Sequence, residues 1–339
     1  GGGYGGGYGT RSGWRRWLRP RPIAAAIAVL LALAVVGSVI TYFSLDAKLT
    51  RQNVLVDYNG RPGTGSGTNW LITGSDSRQG LSRKQERKLA TGHDVSGRRS
   101  DTIMILHMPA GGGHPVLISL PRDSWVPIPG YGYNKINAAY SFGGPKLLAE
   151  TVQNVTGLRI EHYMGIGFGG FVRVVNAVGG VRMCLKQPLH DPAAGLHLHK
   201  GCQVLNGAEA LGFVRSRHTY ANQDLQRIQN QRAFLSALLR KLTGLGVIAN
   251  PFRALPAASG LAGTLTVDKS THLLSLLSVA FALRHPITTT VPIANAGYVT
   301  PSGEDAVLWD KTQALQLFRD LNSGKKIPKS LITGTKVAG

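Results

Sequence analysis

The sequence predicts an α/β domain, a mixed central sheet flanked by helices, preceded by one membrane-spanning helix. Three observations carry this reading. A charge-free run, "IAAAIAVLLALAVVGSVITYF", covers residues 23–43 near the N-terminus. It is long enough to cross a bilayer as a helix. Beyond it, short apolar runs bounded by Gly, Pro, Asn and Asp alternate with longer segments whose apolar residues recur at helical spacing. Two of the short runs are joined by a Gly-rich turn, which makes that pair antiparallel and the sheet mixed.

The elements follow in order. Residues 1–22 open on "GGGYGGGYGT", a low-complexity Gly/Tyr stretch expected to be disordered. Arg11, Arg15, Arg16, Arg19 and Arg21 then precede the apolar run with no acid among them. The positive-inside rule puts this tail in the cytoplasm and everything after Asp46 outside a cell membrane crossed once. Residues 44–68 read as a stem, helical to about Tyr58, and a Gly/Ser-rich linker. The outer domain, 69–339, starts with the strand "NWLIT" ending at Gly74. "DTIMILHM" is a second strand, closed by "PAGGGHP", and Val116–Leu120 a third. "GGPKLLAETVQNVTG" and "FGGFVRVVNAVGG" read as helices, and "VRMCL" as a strand. Phe213–Arg217 looks like a short strand. After it, Leu225, Ile228, Leu235, Leu238 and Leu242 follow helical spacing behind an N-cap at Asp224. "THLLSLLSVAFAL" is an apolar helix, "PITTTVPI" a late strand, and "DKTQALQLFRDLNSG" a last helix with Gly324 at its end.

The formal net charge of +21 calls for an anionic partner. Nucleic acid is set aside, because the domain is expected outside the cell and shows no zinc finger, RNP pattern or helix-turn-helix. The lipid bilayer and a phosphorylated envelope substrate remain. Cys184 and Cys202 are the two cysteines, 18 residues apart on the exported side, where a disulfide is favoured. No zinc-ligand spacing occurs.

Polar residues gather at the ends of the first three strands. Asp76 and Arg78 follow the first; Arg99 and Asp101 open the second; Arg122 and Asp123 follow the third. An antiparallel second and third strand would set Asp101 beside Arg122, and a first strand parallel to the third would bring Asp76 to the same edge. Ligands of open α/β sheets collect at such ends. Two carboxylates among arginines suit a magnesium ion bridging to phosphates, with guanidinium forks on the phosphate oxygens. On a strand, Arg215 and Arg217 would share a face. Arg227 and Gln231, four apart on the next helix, would be neighbours. Each signal alone has an ordinary structural explanation: Asp favours strand ends and turns, and a pair of arginines can be a solvated face.

In order, the four stretches "NWLITGSDSR", "GRRSDTIMIL", "ISLPRDSWVPIPGYGYNKINAAYSFGG" and "FVRSRHTYANQDLQRIQNQ" resemble the LytR–CpsA–Psr family of cell-envelope transferases. The resemblance covers Asn69 to Lys241. It implies an α-β-α sandwich with an apolar tunnel for a polyprenyl chain. It also implies an enzyme that moves a glycopolymer phosphate from a polyprenyl-pyrophosphate carrier to a peptidoglycan hydroxyl in cell wall assembly. On the matching positions it places Mg2+ ligands at Asp76 and Asp101 and a pyrophosphate clamp at Arg99, Arg122, Arg215, Arg217 and Arg227. Gln231 lies near the head group, and Lys135 in "YNKIN" helps to hold the anion. One position departs: the family often has an arginine before that glutamine, and here it is Asn230. Asp76, Asp101, Arg122 and Arg217 stand nearest the chemistry on this reading. Two other functions use the same residues: a polyprenyl-pyrophosphate hydrolase, and a non-enzymatic anchored envelope module. A purely anion-binding module has no need of the two acids.

Overall fold

The computed structural model describes residues 1–3, 20–76, 100–216, 230, 233–238, 240–241, 258–284 and 286–332; for residues 20–23, Asp101 and Ala193 it describes the backbone alone. The chain forms two compact units, 1–47 and 48–339.

The first unit holds α1 (Pro20–Asp46). Its 23-residue stretch Ala24–Asp46 has a mean hydropathy of 2.6, and none of that apolar length is buried against protein. Leu30, Leu31, Leu33 and Val35 are all more than half exposed. An all-round apolar helix with no protein cover is what a bilayer span requires.

In chain order the strands among the described residues are β1 (Thr50–Gln52), β2 (Thr68–Ser75), β3 (Ser100–Met108), β4 (Val116–Leu120), β5 (Trp125–Ile128), β6 (Gly132–Lys135), β7 (His162–Gly167), β8 (Val181–Leu185), β9 (Leu189–Asp191), β10 (Leu196–Leu198), β11 (Gly201–Leu205), β12 (Leu265–Asp268), β13 (Ile287–Thr290), β14 (Ile293–Val299) and β15 (Asp305–Trp309). Seven of them make the sheet on which the second unit is built, in the order β1-β12-β7-β2-β3-β4-β13. β2, β3 and β4 run antiparallel in succession, β7 lies parallel to β2, and β13 parallel to β4. The carboxyl ends of β2, β4, β7 and β13 therefore meet the amino end of β3 at one edge.

Both faces of the sheet are covered, and strand alternation sorts the residues. Ile103 and Ile105 of β3 join a core with α2 (Ile136–Thr156) and α6 (Lys311–Asn322), whose Leu148, Val152, Leu317 and Phe318 are buried there. Met104 and Leu106 face the other way, with Trp70 and Leu117, against α5 (Leu273–Ala282) and Leu235. α2 ends as the sequence indicates, with Gly157 left-handed at φ 68°. A satellite core joins α3 (Phe168–Ala177) and α4 (Gly207–Arg215) to the ribbon β8 (Val181–Leu185) and β11 (Gly201–Leu205) and to Phe234 and Leu238. Cys184 and Cys202 are register partners across that ribbon and form a disulfide.

Two expectations change. Phe213–Arg215 is not a strand but the last turn of α4. Asn206 caps this helix: its side chain accepts from the Ala208 and Glu209 N–H groups, and Glu209 accepts in return from the Asn206 N–H at 2.9 Å. This reciprocal box, with Ala210, Leu211 and Phe213 buried, outweighs the strand-like run of five residues. Arg215 and Arg217 therefore share no strand face; Arg217 itself lies outside the described residues. Residues 44–68, read as stem and linker, instead contribute β1, which pairs parallel to β12. The chain after it is tied down by Asp268, which accepts from the N–H groups of Val54 (3.0 Å) and Leu55 (2.9 Å).

Candidate functional site

The site forms at the sheet edge where β2, β3, β4 and β7 end together. In register, Ser75 of β2 pairs with Ser100 of β3, after an irregularity that follows Gly74, and with Gly167 of β7. Asp76 is thus the next residue beyond that pair, and Asp101 the second residue of the neighbouring strand. Ile103 pairs with Leu120, so Arg122, two residues past β4, comes to the same edge. The edge that the strand ends predict is the one the register builds, with β2 and β4 parallel and β3 antiparallel between them.

Arg122 is held from two sides. Its Nε–H donates to Asp123 at 3.2 Å, and both side chains are less than one-fifth exposed. Its carbonyl accepts from the Asn137 N–H at 3.1 Å, which ties the turn after β4 to the start of α2. Lys135 occupies the N-cap position of that helix without a side-chain cap bond, and makes an ion pair with Glu304 at 3.1 Å.

Arg215 arrives at the edge from α4. Its guanidinium lies 4.9 Å from the centroid of the Phe168 ring, the first residue of α3 after β7. A planar cation over an aromatic face is favourable, more so when half-buried. The ring also fixes where the fork sits. Phe168 escaped the sequence reading, which treated "FGGF" as ordinary helix; the signal was an aromatic placed directly after a strand that ends at the ligand edge.

Behind Arg215 opens a cavity of about 460 Å³ between the sheet and the helices on one face. Ile72 and Met104 of the sheet, Met164 and Ile166 of β7, and Leu276 and Leu283 from the α5 side are among its walls. Thr73, Ser75, Thr102, Asp191 and Arg215 are its polar lining residues, against a lining that is otherwise mostly apolar. Such a chamber suits an apolar chain that carries a charged end.

Arg99, Arg217, Arg227 and Gln231 lie outside the described residues. Asn230, where the family often has arginine, is a buried helical residue. Among the described residues no group of three His, Cys, Asp or Glu side chains is arranged to hold a metal. Mg2+ does not need one: one or two carboxylates complete its shell with phosphate oxygens and water. Asp76 and Asp101, hard oxygen donors at adjacent strand ends, fit that requirement.

The LytR_cpsA_psr family model matches residues 41–291. This chain belongs to that family. The match takes in every described residue of the edge and of the cavity. Over 308 residues the chain is 45% identical to the probable cell wall biosynthesis protein LcpB of Corynebacterium glutamicum, covering 89% of this chain and 72% of that protein. It is 33% identical to TagT of Bacillus subtilis, named a polyisoprenyl-teichoic acid–peptidoglycan teichoic acid transferase, over 52% of this chain and 53% of TagT. The fold agrees with a LytR-Csp2A-Psr enzyme from Actinomyces oris: TM-score 0.61 at 20% identity, over 81% of this chain and 96% of that one. The mixed sheet with helices on both faces is thus the LytR_cpsA_psr fold.

Proposed function

We propose that this protein is a membrane-anchored transferase of cell wall assembly, which moves a glycopolymer phosphate from a polyprenyl-pyrophosphate carrier to a peptidoglycan hydroxyl. The observation that carries it is the junction of an apolar chamber with a cationic, carboxylate-bearing sheet edge. A polyprenyl pyrophosphate is a greasy chain ending in charged phosphates, and the chamber and edge match it part by part. The name of TagT supports the reaction class, and that of LcpB the setting in cell wall biosynthesis.

The polyprenyl chain lies in the chamber, its isoprene units against Met164, Ile166 and Leu276. Arg215, steadied by Phe168, and Arg122, steadied by Asp123, receive the pyrophosphate, together with Arg99, Arg217, Arg227, Gln231 and Lys135. Asp76 and Asp101 hold Mg2+, which when bound would neutralise phosphate charge. The acceptor oxygen attacks the glycopolymer phosphorus, the bond to the bridging oxygen breaks, and polyprenyl phosphate leaves with that oxygen. The acceptor proton passes to a carboxylate of the edge, Asp76, Asp101 or Asp123. Phosphoryl transfer asks chiefly for positioning and charge neutralisation, which arginines on fixed strand and helix ends provide. α1 anchors the unit, with the arginine-rich tail in the cytoplasm and the outer domain on the other side of the membrane.

The test is transfer of labelled glycan from a polyprenyl-pyrophosphate donor to peptidoglycan fragments by the full chain in detergent. Covalent glycan on the fragments, with release of polyprenyl phosphate, is the expected result. Release of free glycan phosphate at the same rate with and without fragments would make the protein a hydrolase. No turnover, with the lipid bound, would make it a binding module.

A further inference from the structure

A second cavity, of about 450 Å³, lies on the opposite face of the sheet from the apolar chamber. Alternation along β7 separates the two. Met164 and Ile166 face the chamber, whereas Tyr163, Gly165 and Gly167 line this groove. Its character is the reverse of the chamber's. Thr264, Thr266, Ser141, Tyr140 and Arg173 border it, over a floor relieved by glycine. A hydroxyl chain runs beneath: Tyr163 and Thr73 are hydrogen-bonded at 2.7 Å, and Tyr140 bonds to Tyr163. Gly165 leaves room for it, since a Cβ there would stand 2.6 Å from the Tyr163 hydroxyl. One wall is the break in α2, where Gly143 and Gly144 leave helical geometry, Gly144 at φ 64°. Backbone polar groups at such a break are released from the helical ladder.

The two cavities share two lining residues. Ser75 and Gly167, register partners at the ends of β2 and β7, border both, and Asp76 is the next residue. Phosphoryl transfer sets the attacking and leaving oxygens roughly in line on either side of the phosphorus. With the polyprenyl phosphate leaving towards the chamber, a hydroxyl presented from the groove would attack from the opposite side of that border.

We infer that this groove is the acceptor site, and that it takes a peptidoglycan glycan segment with one sugar hydroxyl presented at the Ser75–Gly167 border. This rests on the transferase reading above. The hydroxyl and amide-backbone rim at Tyr140, Ser141, Gly144, Thr264 and Thr266 matches a sugar's donors and acceptors. Arg173 suits the carboxylates that peptidoglycan stems carry. In the step, the acceptor C–O–H oxygen bonds to the glycopolymer phosphorus as the bridging P–O bond breaks. Its proton goes to an edge carboxylate, and both electrons of the broken bond leave on polyprenyl phosphate.

The experiment uses the full chain in nanodiscs with Thr266→Trp, which fills the groove beside Gly165, and Tyr140→Phe, which removes one hydroxyl. Binding of a soluble disaccharide-peptide is titrated without donor, donor Kd is measured without acceptor, and acceptor KM is read in the transfer assay. Thr266→Trp should weaken acceptor binding and raise acceptor KM by about tenfold or more, while donor Kd stays within about twofold of wild type. Tyr140→Phe should do the same by about threefold. Retained donor binding certifies the fold of each variant. Unchanged acceptor binding in both variants overturns the inference. So does a parallel loss of donor affinity, which would give the groove to the donor's own glycan. Should wild type bind fragments but no donor, the transferase reading fails, and the fragment titration of Thr266→Trp still decides the groove.

Discussion

Replacing Arg215 separates a clamp from a diffuse basic surface. Its guanidinium lies 4.9 Å from the centroid of the Phe168 ring, and both residues line the chamber. A half-buried cation–π contact contributes about 0.5–2 kcal/mol. A charge-assisted hydrogen bond to pyrophosphate adds about 1.5–3 kcal/mol. The ring contact exists with and without ligand, so Arg215→Ala loses from binding the bond to pyrophosphate, roughly 1.5–3 kcal/mol, and weakens the polyprenyl-pyrophosphate Kd at least about tenfold. Arg215→Lys keeps the charge but loses the planar fork, and should cost about threefold. Phe168→Leu removes only the platform and leaves the guanidinium untethered, which should cost about threefold. The assay is binding of a fluorescent polyprenyl pyrophosphate to the full chain in nanodiscs at two salt concentrations, with thermal melts to confirm folding. A clamp keeps the ranking Ala, Lys, wild type at both salts. If Lys equals wild type, Phe168→Leu is neutral and affinity simply tracks ionic strength, the fork and its platform do not act as argued.

Other outcomes follow from the same geometry. Met164→Trp should displace about three methylenes' worth of lipid contact, near 0.8 kcal/mol each, and weaken a long-chain donor about fiftyfold while sparing a short-chain analogue; equal losses for both would place the lipid elsewhere. Asp76→Asn and Asp101→Asn should each abolish the magnesium response of donor binding, read by calorimetry; an intact response in both variants would remove them as ligands. Breaking Cys184–Cys202 by a double Ser substitution should cost about 2–4 kcal/mol in denaturant unfolding of the outer unit. Burial alone would raise the Asp268 carboxyl's pKa, but hydrogen bonds from the Leu55, Ser270 and Val54 N–H groups and the Ser270 hydroxyl hold it below its ordinary value. Its stabilisation is therefore fully present above about pH 4 and lost as pH falls through the lowered value. Asp268→Ala should cost about 3 kcal/mol at pH 7, and the gap from wild type should narrow in acid.

Much of this protein is legible in its sequence, because the governing physics is local. The charge-free run and the arginines before it state a membrane helix without reference to the rest of the chain. β4 and the Gly157 end of α2 were equally plain, since period, burial and a left-handed glycine act over a few residues. Where a segment is short, local signals compete. Phe213–Arg215 has strand-like residues, yet the Asn206–Glu209 box seven residues upstream and burial against the satellite core made it a helix. β1 is three residues long and exists only because β12, more than two hundred residues on, supplies its ladder. The site divides in the same way. Residue types at strand ends announced phosphate chemistry at Asp76, Asp101 and Arg122, but their meeting depends on the register of three strands. Phe168 beneath Arg215, and the two cavities that share Ser75 and Gly167 in their linings, belong to no single stretch of chain. They arise because a strand's alternate residues face opposite sides of a sheet, and only packing decides what covers each side.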